Sequence, residues 1–370
     1  MPSASTTRDP WLDNAKVLLV VLVVIGHSWT LLPSRPAIDQ FYDWLYLWHI
    51  PAFVLVTGYL SRRMEWTRAK IWQNVRTLAV PYLLFEAAMA LFRIYVGGEN
   101  LADLWLDPHW PLWYLAAVFV WRMAAPALRA IPAALLLSVA LSAVVGLLSN
   151  DVLDYVDVAR VLGFLPFFVV GLKIRPEHLE LVRRPAARVA GVTVLLAALV
   201  GARFLDDVGP TEWLYYRTSY ETLGADTWTG IGLRLATIAV GLVGAFAFLA
   251  LTPTTHLWFS SMGAATMTVY LFHGFAVKGA EYAGFSDWAF DHPYLAVPPL
   301  LAGAVGVALL LGCRPVAQRL ERVVDPFGHV EQHTRHAVAV AAVAAEPVPE
   351  AVQAVVEATE PEPEGSGSPH

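Results

Sequence analysis

Apolar residues in this chain run in long blocks. They neither alternate nor mark a single helical face. Ten blocks come close to the roughly 20 residues needed to cross a bilayer core: 15–33, 41–60, 75–96, 111–128, 131–148, 158–174, 187–204, 230–251, 258–278 and 294–313. Arg129 and Pro132 divide the fourth from the fifth. The pattern predicts an all-α fold, a polytopic membrane helix bundle of about ten transmembrane helices. The N-terminus lacks the basic n-region and small-residue cleavage site of a signal peptide.

Loop charge alternates along the same blocks. Basic residues follow the second block (Arg62, Arg63, Arg68, Lys70, Arg76), the fourth (Arg122, Arg129), the sixth (Lys173, Arg175, Arg183, Arg184, Arg188) and the tenth (Arg314, Arg319, Arg322). Acidic residues fill the other loops: Glu99, Asp103 and Asp107, then Asp151, Asp154 and Asp157, then Asp206, Asp207 and Glu212, then Glu281, Asp287 and Asp291. Since cytoplasmic loops carry the excess of Lys and Arg, both termini are expected in the cytoplasm of a multi-pass plasma-membrane protein. The expected organisation is a cytoplasmic segment 1–14, a transmembrane domain 15–313 and a largely disordered cytoplasmic tail 314–370 of low-complexity Ala, Val, Glu and Pro.

Composition narrows the function classes. Hydrophobic residues make up 57% and charged residues 15% of the 370 positions, against about 25% charged in soluble domains. That excludes a soluble enzyme, and with a net charge of −6 a nucleic-acid partner is not expected either. A single cysteine, Cys313, rules out an intramolecular disulfide framework and a cysteine zinc site. The expected surrounding partner is the lipid bilayer.

Ionisable residues inside spans are expensive, about 2.5–3.5 kcal/mol each on the lenient insertion scale, and mark candidate sites. Lys16 stands at the cytoplasmic end of the first block and His27 eleven residues later, about 16 Å along a helix axis and near the bilayer middle. Gly26 beside it permits a close neighbour. His49 lies in the second block, two residues before Pro51, and His273 in the ninth, three after Tyr270. Glu86 and Arg93 share a face of the third, and Arg160 lies near the outer end of the sixth. Imidazole is the side chain suited to take a proton from a hydroxyl near neutral pH. The same residues also suit interhelical hydrogen bonding or a proton-coupled transporter or flippase. The basic loop 61–76 fits either topology or the phosphates of an acyl-coenzyme A. The chain has no GxSxG, Walker A, GxGxxG or HExxH motif.

Several segments resemble the acyltransferase-3 family of integral membrane acyltransferases, in particular its fucose 4-O-acetylase-like branch. RDPWLDNAKVLLVVLVVIGHSW is similar to that family's first helix, WHIPAFVLVTGYLSRR to its second and VRTLAVPYLLFE to the start of its third. HWPLWYL, RVLGFLPFFVVGLKIR and MTVYLFHGF follow in the family's order, so the resemblance covers residues 8–313.

The resemblance implies an O-acyltransferase that moves an acyl group, most simply acetyl, from cytoplasmic acyl-CoA to a hydroxyl of a glycan or other exported carbohydrate of the cell envelope. Acetyl-CoA is then a co-substrate and no metal is required. Lys16 and His27 meet the family's basic-residue, ten residues, histidine pattern; His49 matches the second-helix histidine. Arg76 matches the last of the family's paired third-helix arginines, whose partner position is Gln73 here. His27 is implied as general base, oriented by His49 or Tyr270, with Arg93 or His273 at the oxyanion. Lys16, Arg62, Arg63, Arg68 and Arg76 are implied on the coenzyme phosphates.

Overall fold

The computed structural model describes residues 9–101, 111–150 and 157–328. The first eight residues, the acidic positions Asp103, Asp107, Asp151 and Asp154, and the tail from 329 lie outside the described residues. Among the described residues there is no strand: the fold is an all-helical membrane bundle.

The first helix, α1 (Pro10–Trp29), opens with Pro10 in its first turn while the Asp9 carboxylate accepts from the Trp11 amide at 3.0 Å, both ordinary N-terminal devices. α1 is the hub. It packs on α2 (Pro36–Leu60) and on two later helices, and Leu19, Val20 and Val24 are buried along it. Trp11 Nε1 donates to the Leu249 carbonyl at 3.1 Å, and Asn14 Nδ2 to the Pro253 and Thr255 carbonyls at 2.9 Å each.

Next come α3 (Arg68–Asn74), a π-helical turn (Val75–Ala79) and α4 (Val80–Tyr95). Pro81 cannot donate back into the preceding turn, which widens there. α5 (Trp113–Ala130) and α6 (Ala134–Val145) follow. The block 158–174 is broken into α7 (Val158–Gly163) and α8 (Leu165–Lys173), because Pro166 withholds its amide. The rest are α9 (Pro176–Val182), α10 (Pro185–Ala202), α11 (Thr227–Leu251), α12 (Thr266–Tyr282), α13 (Phe285–Asp291), α14 (Val297–Gly312) and α15 (Arg314–Val324).

Each of the ten predicted blocks carries helix. Among the described residues, five helical stretches are long and apolar enough to cross a membrane on their own: Pro10–Trp29, Pro36–Arg63, Arg68–Tyr95, Pro185–Ala202 and Thr227–Leu251. α14 and α15, bent by 73°, make a sixth if taken together. The others fall short for local reasons. α5 is diluted by Arg122 and Arg129, α6 has 12 residues, and α12 and α14 have 17 and 16. Residues 314–324, expected to begin the tail, form the helix α15, on which Ala317 and Val324 are buried.

α2 and α8 make the closest helix contact. A Cβ on Gly58 would strike the Phe168 carbonyl, and one on Gly171 would strike the Leu55 carbonyl. Reciprocal glycines let two backbones touch, the usual membrane packing device. α10, by contrast, leaves Val189 and Val200 70% and 63% exposed, which in an apolar helix marks a face for lipid.

Candidate active site

α1 and α12 lie side by side, which brings together histidines 246 positions apart. His27 and His273 are buried, and His27 Nδ1 lies 2.7 Å from His273 Nε2. On its other side, His273 Nδ1 is 2.6 Å from the backbone carbonyl of Tyr270. A carbonyl only accepts, so His273 Nδ1 carries the hydrogen and, in the neutral ring, Nε2 accepts. His27 Nδ1 therefore donates, and the second nitrogen of His27, Nε2, holds the lone pair. Two neutral imidazoles in series fix one tautomer of His27.

His49 sits beside this pair. Its Nδ1 donates to the Leu45 carbonyl at 2.7 Å. Its Nε2 is buried with no hydrogen-bond partner among the described residues. A Cβ on Gly26 would lie 3.6 Å from that nitrogen and 3.3 Å from the Tyr46 ring. Gly26 thus lets α2 close on α1 next to His27.

Two cavities lie along this chain of contacts, one lined by His27 and the other by Tyr270. One, of about 180 Å³, is lined by His27, Thr30, Tyr42, Tyr46, Trp113, Arg160 and Tyr215 among others. The second, of about 320 Å³, is lined by Lys16, Phe53, Thr57, Tyr114, Arg122, Tyr270 and apolar neighbours. On α1 and α2 the histidine cavity takes residues from one end and the lysine cavity from the other, while on α5 Trp113 lines the first and Tyr114, Leu115, Val118 and Arg122 line the second.

In the histidine cavity Arg160 is held from two sides. Its Nη1 donates to the Asp157 carboxylate at 2.6 Å, and its guanidinium lies 5.1 Å from the Trp113 ring centre. Asp157 is buried with left-handed backbone, φ 55°, a conformation rare outside glycine. Tyr215 and Tyr42 hydroxyls pair at 2.9 Å. In the lysine cavity Thr57 and Tyr114 hydroxyls are hydrogen-bonded to each other, and Lys16 Nζ reaches Asp13 at 2.7 Å and the Gly263 carbonyl at 2.8 Å.

Other expected site residues lie elsewhere. Arg93 is not at the histidines: it pairs with Glu99, which also accepts from Lys278 at 3.3 Å and Tyr282 at 2.5 Å. The Arg93 guanidinium, with Tyr282 and Lys278, holds the Glu99 carboxyl down to about 2. Seven residues beyond Glu86, Arg93 has reached the end of α4 and meets the loop. Glu86 is buried but lines neither cavity. The Tyr270 hydroxyl donates to the Pro111 carbonyl, so the backbone of Tyr270 orients His273 while its side chain serves another contact.

Of the residues expected on coenzyme phosphates, only Lys16 lines a described cavity. Arg63 and Arg68 are exposed. Arg62 donates to the Tyr59 carbonyl at 2.9 Å and stacks 3.5 Å over the Tyr59 ring, and Arg76 pairs with Asp325 at 3.4 Å. Sequence reasoning missed Arg122 as a cavity residue by reading it as a topology charge. It noted Arg160 without giving it a role. Both are charges inside helices that are otherwise apolar, the signal that found His27. Among the described residues no group of three His, Cys, Asp or Glu side chains could hold a metal ion.

A family model described as an acyltransferase domain matches residues 9–313, the stretch that contains both cavities and all three histidines. The chain belongs to this acyltransferase family. Nodulation protein NolL of Mesorhizobium japonicum is 25% identical over 133 residues, 32% of this chain and 35% of the relative. Nodulation protein NolL of Sinorhizobium fredii is 27% identical over 135 residues, 32% of this chain and 37% of the relative. The matched segment thus spans about a third of the length of these curated relatives. No solved structure matches the chain. Family membership and the apolar helices together make this chain a multi-pass membrane protein.

Proposed function

We propose that the protein is an integral membrane O-acetyltransferase of the plasma membrane, which moves an acetyl group from cytoplasmic acetyl-CoA to a hydroxyl of an exported carbohydrate. The observation that carries this reading is the hydrogen-bonded chain from His27 through His273 to the Tyr270 carbonyl, with one cavity lined by His27 and the other by Tyr270. The alternation of loop charge turns the lysine cavity toward the cytoplasm, where acyl-CoA is found, and the histidine cavity outward.

In this mechanism the acceptor hydroxyl lies in the histidine cavity and gives its proton to His27 Nε2 as its oxygen attacks the thioester carbonyl. The new C–O bond forms while the carbonyl oxygen becomes an oxyanion. Arg160 is the cation beside His27, and fixed by Asp157 and Trp113 it stabilises that charge without reorganising. The C–S bond then breaks, and the imidazolium of His27 returns its proton to the departing thiolate. The products are an O-acetyl ester and free coenzyme A, with His27 neutral again. His49 Nε2, a buried acceptor with no hydrogen-bond partner among the described residues, receives a second hydroxyl of the acceptor.

The test supplies [acetyl-¹⁴C]acetyl-CoA to detergent-purified protein with a cell-envelope glycan fraction. Label in an alkali-labile ester on carbohydrate supports the reading. No ester, together with proton-coupled movement of a solute in proteoliposomes, replaces it with a carrier.

A further inference from the structure

Among the described residues Arg122 is the one guanidinium that lines the lysine cavity, on α5 eight residues from Tyr114. Its Nε is buried and makes no hydrogen bond among the described residues. The nearby basic groups differ in this respect. Lys16 is neutralised by Asp13, and Arg129 donates to the carbonyls of Arg62 and Met64. A charge that served only to set topology would point into water or headgroups. Arg122 is half-buried, and a buried Nε–H with no acceptor is costly until an anion takes it.

The cavity it faces suits a long, mixed ligand. Phe53, Val56, Leu78 and Val118 supply apolar wall, and Thr57, Ser61 and Thr266 supply hydroxyls for amide groups. Along the helices, Arg122 lies about 12 Å from Tyr114, and Lys16 about 16 Å from His27. A phosphopantetheine arm is an extended, amide-bearing chain on this scale, with phosphate at one end and thioester at the other.

We propose that Arg122 anchors the phosphate at the base of the donor's phosphopantetheine arm, which lies along the lysine cavity with its thioester toward His27. This rests on the acyl-CoA reading above. The planar guanidinium gives the phosphate two parallel donors, which a lysine cannot. Arg62, Arg63, Arg68 and Arg76 then lie outside this contact.

The experiment measures binding of coenzyme A, 4′-phosphopantetheine and pantetheine to the full-length protein in nanodiscs, for wild type, Arg122→Met and Arg122→Lys. The two phosphorylated ligands should bind Arg122→Met about tenfold to a hundredfold more weakly than wild type. Arg122→Lys should fall between, and pantetheine should bind all three alike. Equal coenzyme A affinity in wild type and Arg122→Met overturns the assignment, as does an equal loss for pantetheine. Should Arg122→Met not fold, the Arg122→Lys comparison carries the same two tests. Phosphatidylglycerol in the nanodisc should leave coenzyme A affinity unchanged. Competition by that lipid would make Arg122 a headgroup site and also overturn the assignment. A wild type that binds no coenzyme A removes the acyl-CoA reading itself.

Discussion

His27 Nδ1 stands 2.7 Å from His273 Nε2, and what lies behind His273 is a backbone carbonyl, that of Tyr270. An imidazole backed by a carboxylate gains a counter-ion when it is protonated. This one gains only orientation. In the proposed mechanism His27 holds the proton only briefly, between taking it from the acceptor and returning it to the leaving group.

The two histidines should respond differently to substitution. His27→Ala removes the base of the proposed mechanism and should lower kcat by about 10²–10⁴-fold. His273→Ala frees the tautomer of His27 without removing its basic nitrogen, so a smaller loss is expected, with the KM for acetyl-CoA unchanged. Steady-state kinetics of both variants check this. An equal loss in both would make the pair a single structural unit.

Arg160→Met should lower kcat by about 10²–10³-fold, the range for removing one oxyanion donor. It also breaks the buried Arg160–Asp157 ion pair, which lowers stability by up to about 3–5 kcal/mol. The double variant Arg160→Met with Asp157→Asn should regain thermal stability without regaining activity. Recovery of both would give the pair a purely structural role.

Gly58→Ala and Gly171→Ala should each destabilise the α2–α8 contact by about 1–3 kcal/mol, because a methyl group meets a backbone carbonyl that cannot move aside. Thermal unfolding in detergent measures the shift. Unchanged melting in both variants would mean that the two helices do not touch at these positions.

Glu99 gives a pH dependence with a fixed sign. Its carboxyl is held by Arg93, Tyr282 and Lys278 at about 2, below the usual 4.5. A lowered folded value stabilises the protein above pH 4.5, and that stability is lost as pH falls from 4.5 toward 2. The Glu99 side chain is partly exposed and screened by solvent, so the effect is at most about 1 kcal/mol. Glu99→Gln should flatten this part of the stability profile. An identical acid dependence in wild type and variant would contradict the assignment.

How far the sequence could be read follows from what each signal measures. Long apolar blocks located the helices, because no other backbone survives in hydrocarbon. Hydropathy does not see Pro166 interrupting a helix, or that the helices α6 and α12 are short. His27 and His273 stood out as polar groups at depth. Their partnership depends on the packing of α1 on α12, which no local pattern encodes. Arg62, Arg63 and Arg68 were expected on the donor by charge and proximity in sequence. In the fold, Arg62 turns back on Tyr59 and the other two face outward, while Arg122, from a different helix, enters the cavity. The contact of Arg93 with Glu99 follows from where α4 ends, and helix ends are the least legible boundary in a sequence.

The most direct test follows release of free thiol from acetyl-CoA by the purified protein with a carbohydrate acceptor, in wild type and in a folded His27→Ala variant. The account predicts acceptor-dependent thiol release in the wild type and a near-complete loss in the variant at unchanged coenzyme A binding. Equal release from both proteins would contradict it, and the His27–His273 pair would then be a structural contact between α1 and α12.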